Sequence, residues 1–290
     1  MFSIPQTTHT FINWRYSINE ETVLNSGTPP GASQVSIAAD LKQAINEIKI
    51  QAFASSSGKV DYSALSSSSA YEHYRQTTRR LQTFDPALLK SREERLAFWI
   101  NLYNALVIDA VIAFGVGQTV NEVPGFFWRA AYCINGSRFN TFDIEYGILR
   151  ANAGHPGIPG PHFSGDDLRI KYSLGVLDPR IHFGLVCASR SCPPIAVYSD
   201  EPIDEQLDLA ARSFINSGGV EIDRESKEVR LSKIFQWYAP DFGGPTLGLG
   251  NMRPVLDYIA PFLNEAQDQA YLRDGKHKVR FTSYDWTLNI

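Results

Sequence analysis

The segment from Ser91 to Phe114 limits the fold more than any other. Ser91, followed three residues later by Glu94, has the capping-box spacing that opens a helix. Behind it the run 96–114 is apolar apart from Asn101, Asn104 and Asp109. A helix that is apolar nearly all round is buried on every side. The spacing therefore predicts a helix over 92–114, the longest and most buried of the chain, stopped by Gly115 and Gly117. The three polar residues break the run before the ~18 apolar residues that a membrane span needs.

Composition supplies the material to surround such a helix. The chain has 290 residues, of which 43% are hydrophobic, enough for a real core and too many for a mainly disordered chain. At about 150 residues per domain, one or two domains are expected. A balance of 31 acidic against 27 basic residues, a net charge of −4, argues against a dedicated nucleic-acid binder. Three cysteines cannot form a disulfide framework, and one bridge is the maximum. The first 21 residues lack the charged start and apolar run of a signal peptide. A soluble, cytoplasmic protein without a membrane span is expected.

Along the chain, residues 1–40 show little periodicity, with a loop signal at 27–31. Leu41, Ala44, Ile45, Ile48 and Phe53 form a helical stripe over 38–54, which the serine run at 55–57 and Gly58 end. A second helix is read at 71–81. Asn135-Gly136 between 131–134 and 137–140 is the strongest short hairpin signal, followed by a helical stretch at 141–150. The segment 154–165 (GHPGIPGPHFSG) is an irregular loop of a length that is often functional. Residues 181–187 (IHFGLVC) read as a buried strand. Further on come a helix at 204–216, a hairpin of 220–223 with 228–231, helices at 233–238 and 253–263, and a last strand at 278–282. The expected class is α+β, a mainly helical single domain around a small, mostly antiparallel sheet, cysteine-peptidase- or transglutaminase-like in arrangement. Residues 1–57 form an N-terminal arm and first helix, and 58–290 the main domain.

The chemistry concentrates at 178–194 (DPRIHFGLVCASRSCPP), which holds two cysteines, one histidine and two arginines. A thiolate is a nucleophile, and a nearby cation, imidazolium or helix N-terminus favours it. Arg190 supplies a charge, and Cys192 before Pro193 fits a helix start. In a regular strand His182 and Cys187 face opposite sides, so Cys192 is the easier partner for His182, unless a bulge turns Cys187 toward it. Against this stands the reading that both cysteines are buried hydrophobes or paired with each other. A zinc site is weaker, because the four-residue gap is long and no second cysteine pair exists.

Asn101 and Asn104 share one helical face. Buried amides most often hold a neighbouring backbone segment, while in a catalytic site one would orient the histidine or donate to an oxyanion. Asp143 and Glu145 suit the first turn of a helix, and Glu145 has Arg180 or Arg190 as possible partners. Tyr284-Asp285-Trp286 reads as an aromatic packing cluster.

Five stretches, FWINLYNALVIDAVI, FDIEYGILR, DPRIHFGLVCASRSCPPI, LSKIFQWYAPDFG and YDWTLN, together resemble the domain-of-unknown-function family 547 over roughly 60–290. Its pattern matches at Asn101, Asn104, Glu145, Arg180, His182, Cys187, Ser189, Cys192 and Pro193, whereas many members carry His where this chain has Tyr146. The resemblance brings no established activity. Members that carry the domain behind a coiled coil imply an interaction module.

The expected function is thus a cysteine-dependent hydrolase or acyl transferase acting on a peptide or an amide or ester. Cys192 or Cys187 is the nucleophile, His182 the base, and Asn101 or Asn104 the orienting group, with Glu145, Arg180, Ser189 and Arg190 binding substrate. The alternative is a non-catalytic peptide- or ligand-binding module with structural cysteines. No cofactor is expected, and the partner is a small-molecule or peptide substrate.

Overall fold

The computed structural model describes residues 4–31, 37–52 and 60–290. Its helices in chain order are α1 (Ile4–Tyr16), α2 (Ile37–Ala52), α3 (Tyr62–Ser66), α4 (Ser69–Arg79), α5 (Arg92–Ala113), α6 (Phe126–Arg129), α7 (Ile203–Phe214), α8 (Lys233–Trp237), α9 (Arg253–Ile259) and α10 (Ala266–Asp274). The strands are β1 (Ala131–Ile134), β2 (Ser137–Asn140), β3 (Val220–Asp223), β4 (Glu228–Leu231) and β5 (Lys278–Phe281).

Helix α5 is the axis. Glu94 N donates to Ser91 Oγ at 3.0 Å, and Ser91 N donates back to the Glu94 carboxylate at 2.9 Å, which closes the capping box. Gly115, at φ 62°, stops the helix. Every residue from Leu96 to Val111 is buried. By length and composition α5 could cross a membrane, but 89% of its apolar window is buried inside the protein. The three polar residues that interrupt its apolar run, Asn101, Asn104 and Asp109, are all hydrogen-bonded. Asp109 accepts from Tyr71 and Tyr132 at 2.6 Å each and pairs with Arg75 at 3.1 Å. Helix α2 lays Leu41, Ala44, Ile45 and Ile48 into the same core, so the first helix packs as part of the main body. The stop expected for it at 55–58, with Phe53 and Ala54, lies outside the described residues.

A second, smaller core forms around Phe183, Phe214, Phe235 and Phe242 and takes in α9 and the end of α7. The strands form two separate sheets. β1 and β2 make the Asn135-Gly136 hairpin, with φ 46° and 73° at the turn as a type I′ turn requires. β4 lies between β3, antiparallel to it, and β5, parallel to it. The class is α+β and mainly helical, with pairing mostly antiparallel.

Four sequence expectations are corrected. Residues 181–187 are not a strand. Asp178 Oδ1 accepts from Arg180 N at 3.1 Å with Pro179 in the first position, and this cap starts a 3₁₀ turn over Pro179–Phe183. Gly184 ends the turn and 184–187 is irregular. No helix starts at Pro193, because 193–199 runs on without regular structure. The stretch expected to be an ordinary helix at 141–150 is a wide π-type turn over Asp143–Leu149, a form that recurs at functional sites. Helix α1 occupies a segment read as aperiodic, and α10 one for which no element was expected.

The last residues lace the cysteine loop to the body. Arg190 N donates to Thr287 O at 2.9 Å, Asn289 N to Ala188 O at 3.1 Å, and Leu288 N to Gln118 O at 2.7 Å.

Candidate functional site

A cavity of about 370 Å³ lies where the two cores meet. Tyr103 of α5 forms part of its floor, and the π-type turn contributes Glu145 and Tyr146. His182, both loop cysteines, Trp237 and Tyr238 of α8, and Tyr284 complete most of the wall. The loop at 154–165 enters through His155, Pro156 and Gly157. Its first residue must be glycine, since Gly154 has φ 76° and a Cβ there would sit 2.2 Å from the Gly160 carbonyl.

Glu145 is the buried carboxyl of this cavity, 4% exposed. Tyr238 donates to its Oε1, and Tyr103 to its Oε2 at 3.2 Å. Burial pushes its pKa up to about 7, although the two phenols and the Arg150 charge pull the other way. The expected pairing with Arg180 or Arg190 does not occur. Arg180 points away to Asp178, Asp204 and Asp208, and so fixes the 3₁₀ turn to α7. It does not line the cavity. Neither does Arg190, which lies on the far side of the cysteine loop.

His182 is held on two sides. Its Nε2 lies 2.7 Å from Asp241 Oδ2, and its ring stacks on Tyr238 with centroids 3.9 Å apart. Asp241 in turn accepts two bonds of 2.6 Å from the Arg150 guanidinium. Burial lowers the His182 pKa, and the Asp241 carboxylate only partly offsets it. Burial alone would raise Asp241, but Arg150 and His182 hold it down to about 2. The result is a neutral imidazole on an ionised carboxylate, which leaves Nδ1 as the ring nitrogen open to another partner.

Cys187 and Cys192 are joined as a disulfide. Around the pair converge the Cys187 amide, 2.8 Å from Cys192 Sγ, and the Tyr284 hydroxyl, 3.1 and 3.2 Å from the two sulfurs. Ser189 Oγ lies 3.1 Å from Cys187 Sγ and 3.5 Å from Cys192 Sγ. Ala188 turns the loop at φ 63°, in the left-handed region. With no strand at 181–187, the expected opposition of His182 and Cys187 is void, and both cysteines share the cavity with the imidazole.

The two asparagines are clamps. Asn101 bonds the amide and carbonyl of Tyr198 at 2.8 Å each. Asn104 donates to Gly184 O at 2.8 Å and accepts from Val186 N at 3.0 Å. Both amides are spent on backbone, and Asn104 fixes the segment that joins His182 to Cys187. Among the described residues no three His, Cys, Asp or Glu side chains gather as a metal-binding group.

Sequence reasoning missed Asp241, Arg150, Tyr238 and Tyr103. Asp241 and Tyr238 lie inside the LSKIFQWYAPDFG stretch, but nothing local says that a turn 59 residues downstream folds onto His182. Tyr284 packs on Trp286 as the aromatic cluster expected there, and it also meets Trp237 and reaches the sulfurs.

Residues 86–215 match the family described as "Protein of unknown function, DUF547". Over residues 86–215 the chain carries a DUF547 domain. The match holds Asn101, Asn104, Glu145, His182 and both paired cysteines, while Tyr238, Asp241 and Tyr284 come from beyond it. It is shorter than the resemblance over 60–290. The comparisons with curated proteins and with solved structures match nothing, and the peptidase-like arrangement gains no support from them.

Proposed function

We propose that the protein is a cysteine-dependent hydrolase or acyl transferase, active when the Cys187–Cys192 pair is reduced. One observation carries this reading. His182 is oriented through Nε2 by Asp241 and shares one cavity with both sulfurs, an arrangement that follows the nucleophile–base–carboxylate logic of acyl-transfer enzymes. Cys192 is the nucleophile, since a backbone amide and two hydroxyls converge on its sulfur and favour a thiolate. Reduction by an external dithiol supplies two electrons and two protons. His182 takes the proton of the Cys192 thiol, the resulting thiolate adds to the carbonyl carbon of an ester or amide, and a C–S bond forms. The bond to the leaving group breaks, its electron pair leaves with that group, and His182 returns the proton. Water or a second nucleophile then cleaves the C–S bond. Asn101 and Asn104 act by position, through the backbone they hold, and the aromatic wall suits an apolar acyl group.

The test is a p-nitrophenyl ester offered to the dithiol-reduced protein. A burst of one nitrophenolate per chain is expected, with an acyl adduct on Cys192 in the mass spectrum. Both vanish in Cys192→Ser, and the burst slows in His182→Ala and Asp241→Asn. Absence of any adduct on the reduced, folded protein overturns the reading.

The disulfide itself favours a second reading, a binding module whose cysteines are structural. That reading predicts a pair that resists mild reductant and a cavity that binds ligand equally well in Cys192→Ser.

A further inference from the structure

A second large cavity, of about 310 Å³, lies across the wall formed by Cys192 and Tyr284, which line both. Its chemistry is the reverse of the first. Arg190 lines it together with the hydroxyl side chains of Ser213, Ser217, Ser232, Thr282 and Ser283, and no carboxylate does. Gly218, at φ 99° with open space beside it, leaves the Ser217 corner unobstructed. Arg190 is exposed, and its guanidinium makes no hydrogen bond or ion pair among the described residues, nor do the hydroxyls of Ser213, Ser217 and Ser283 make hydrogen bonds there. Asp285 is within electrostatic reach of Arg190, but its carboxylate is engaged by Thr287. An unpaired guanidinium among unused hydroxyls suits an anion, because charge-assisted hydrogen bonds are the strongest such a wall can offer.

We infer that this polar cavity holds the anionic end of an amphipathic acyl compound, a carboxylate or phosphate, whose apolar part fills the aromatic cavity over the Cys192–Tyr284 rim. The inference rests on the acyl-site reading, and it adds the substrate class. The reacting carbonyl of such a compound sits between the two ends, at the cysteine.

Calorimetric binding of decanoate, decyl phosphate and 1-decanol to the oxidised protein tests this without any thiol chemistry. At least one anion is expected to bind about tenfold or more tighter than the alcohol, the share of one charge-assisted bond. Arg190→Gln, an exposed change, should bring that anion to within about twofold of the alcohol. Ser217→Val should weaken the anion and leave the alcohol unchanged. The tighter of the two anions names the head group. Equal binding of all three probes, no binding of either anion, or a preference that survives Arg190→Gln overturns the inference. An anion preference lost in Arg190→Gln, in a protein that forms no acyl adduct, upholds the anion site and removes only the thiol reading.

Discussion

Asp143 and Glu145 stand two residues apart on one turn, both buried, and they meet opposite surroundings. Asp143 accepts from Asn140 N at 2.9 Å, lies 2.8 Å from His162 Nε2 and pairs with Arg169 at 3.0 Å. Burial would raise its pKa, but these contacts hold it well below the usual carboxylate range. Glu145 meets two phenols, with Arg150 acting only by its charge, and rises to about 7. Burial therefore does not decide the charge of a carboxyl. A cation in direct contact does. Asp143 joins the hairpin, the 154–165 loop and the segment carrying Arg169, so its charge serves the fold. Glu145 faces the cavity, where its charge changes near neutral pH.

The largest test of this contrast is Asp143→Ala. It removes the carboxylate that Arg169 and His162 share, although Arg169 keeps Asp167 at 2.8 Å, and the unfolding free energy in urea should fall by about 3 kcal/mol at pH 7. A loss below 1 kcal/mol would mean that the carboxylate carries no structural charge.

Glu145 gives a pH signature of the opposite sign. Its pKa is 4.5 in the unfolded reference and about 7 in the fold, so the folded state binds the proton more tightly. The stability that this provides is complete below about 4.5 and declines as pH rises to about 7, by on the order of 3 kcal/mol. Asp241, held down to about 2, contributes stability that is lost only as pH falls below 3.8. Glu145→Gln should flatten the decline between about 4.5 and 7 in thermal melts and leave the acid limb in place. An unchanged profile would show that Glu145 is an ordinary carboxylate.

The smallest effect belongs to Tyr238→Phe, which removes the donor to Oε1. Stability at pH 7 should drop by about 1 kcal/mol. The Glu145 titration should move further up, because the lost bond favoured the charged form. A downward shift would contradict the assignment of Tyr238 as the donor.

How much of this was legible in the chain follows from the range of each signal. The capping box at Ser91 and Glu94 and the Asn135-Gly136 hairpin are set by neighbours, and both read correctly. The apolar run 181–187 was ambiguous, and the deciding signal, Asp178 capping a turn begun by Pro179, lay just upstream. Within the candidate site, His182, Glu145 and the cysteines could be singled out by type. The bond from Asp241 to His182 and the phenols on Glu145 come from chain crossings of 59, 42 and 93 residues, which no local pattern encodes. Helix α1 had too weak an apolar stripe to be read.

The central claim is that Cys192, once reduced, sits in a site built to activate it. Cys133 is the reference thiol within the same chain, unpaired and with its pKa pushed up by burial. Iodoacetamide labelling of the dithiol-reduced protein at pH 7, followed peptide by peptide in a mass spectrometer, compares them directly. Cys192 is expected to react at least about tenfold faster than Cys133 and to lose that lead in His182→Ala. Equal or slower labelling of Cys192 in folded, reduced protein would contradict the account.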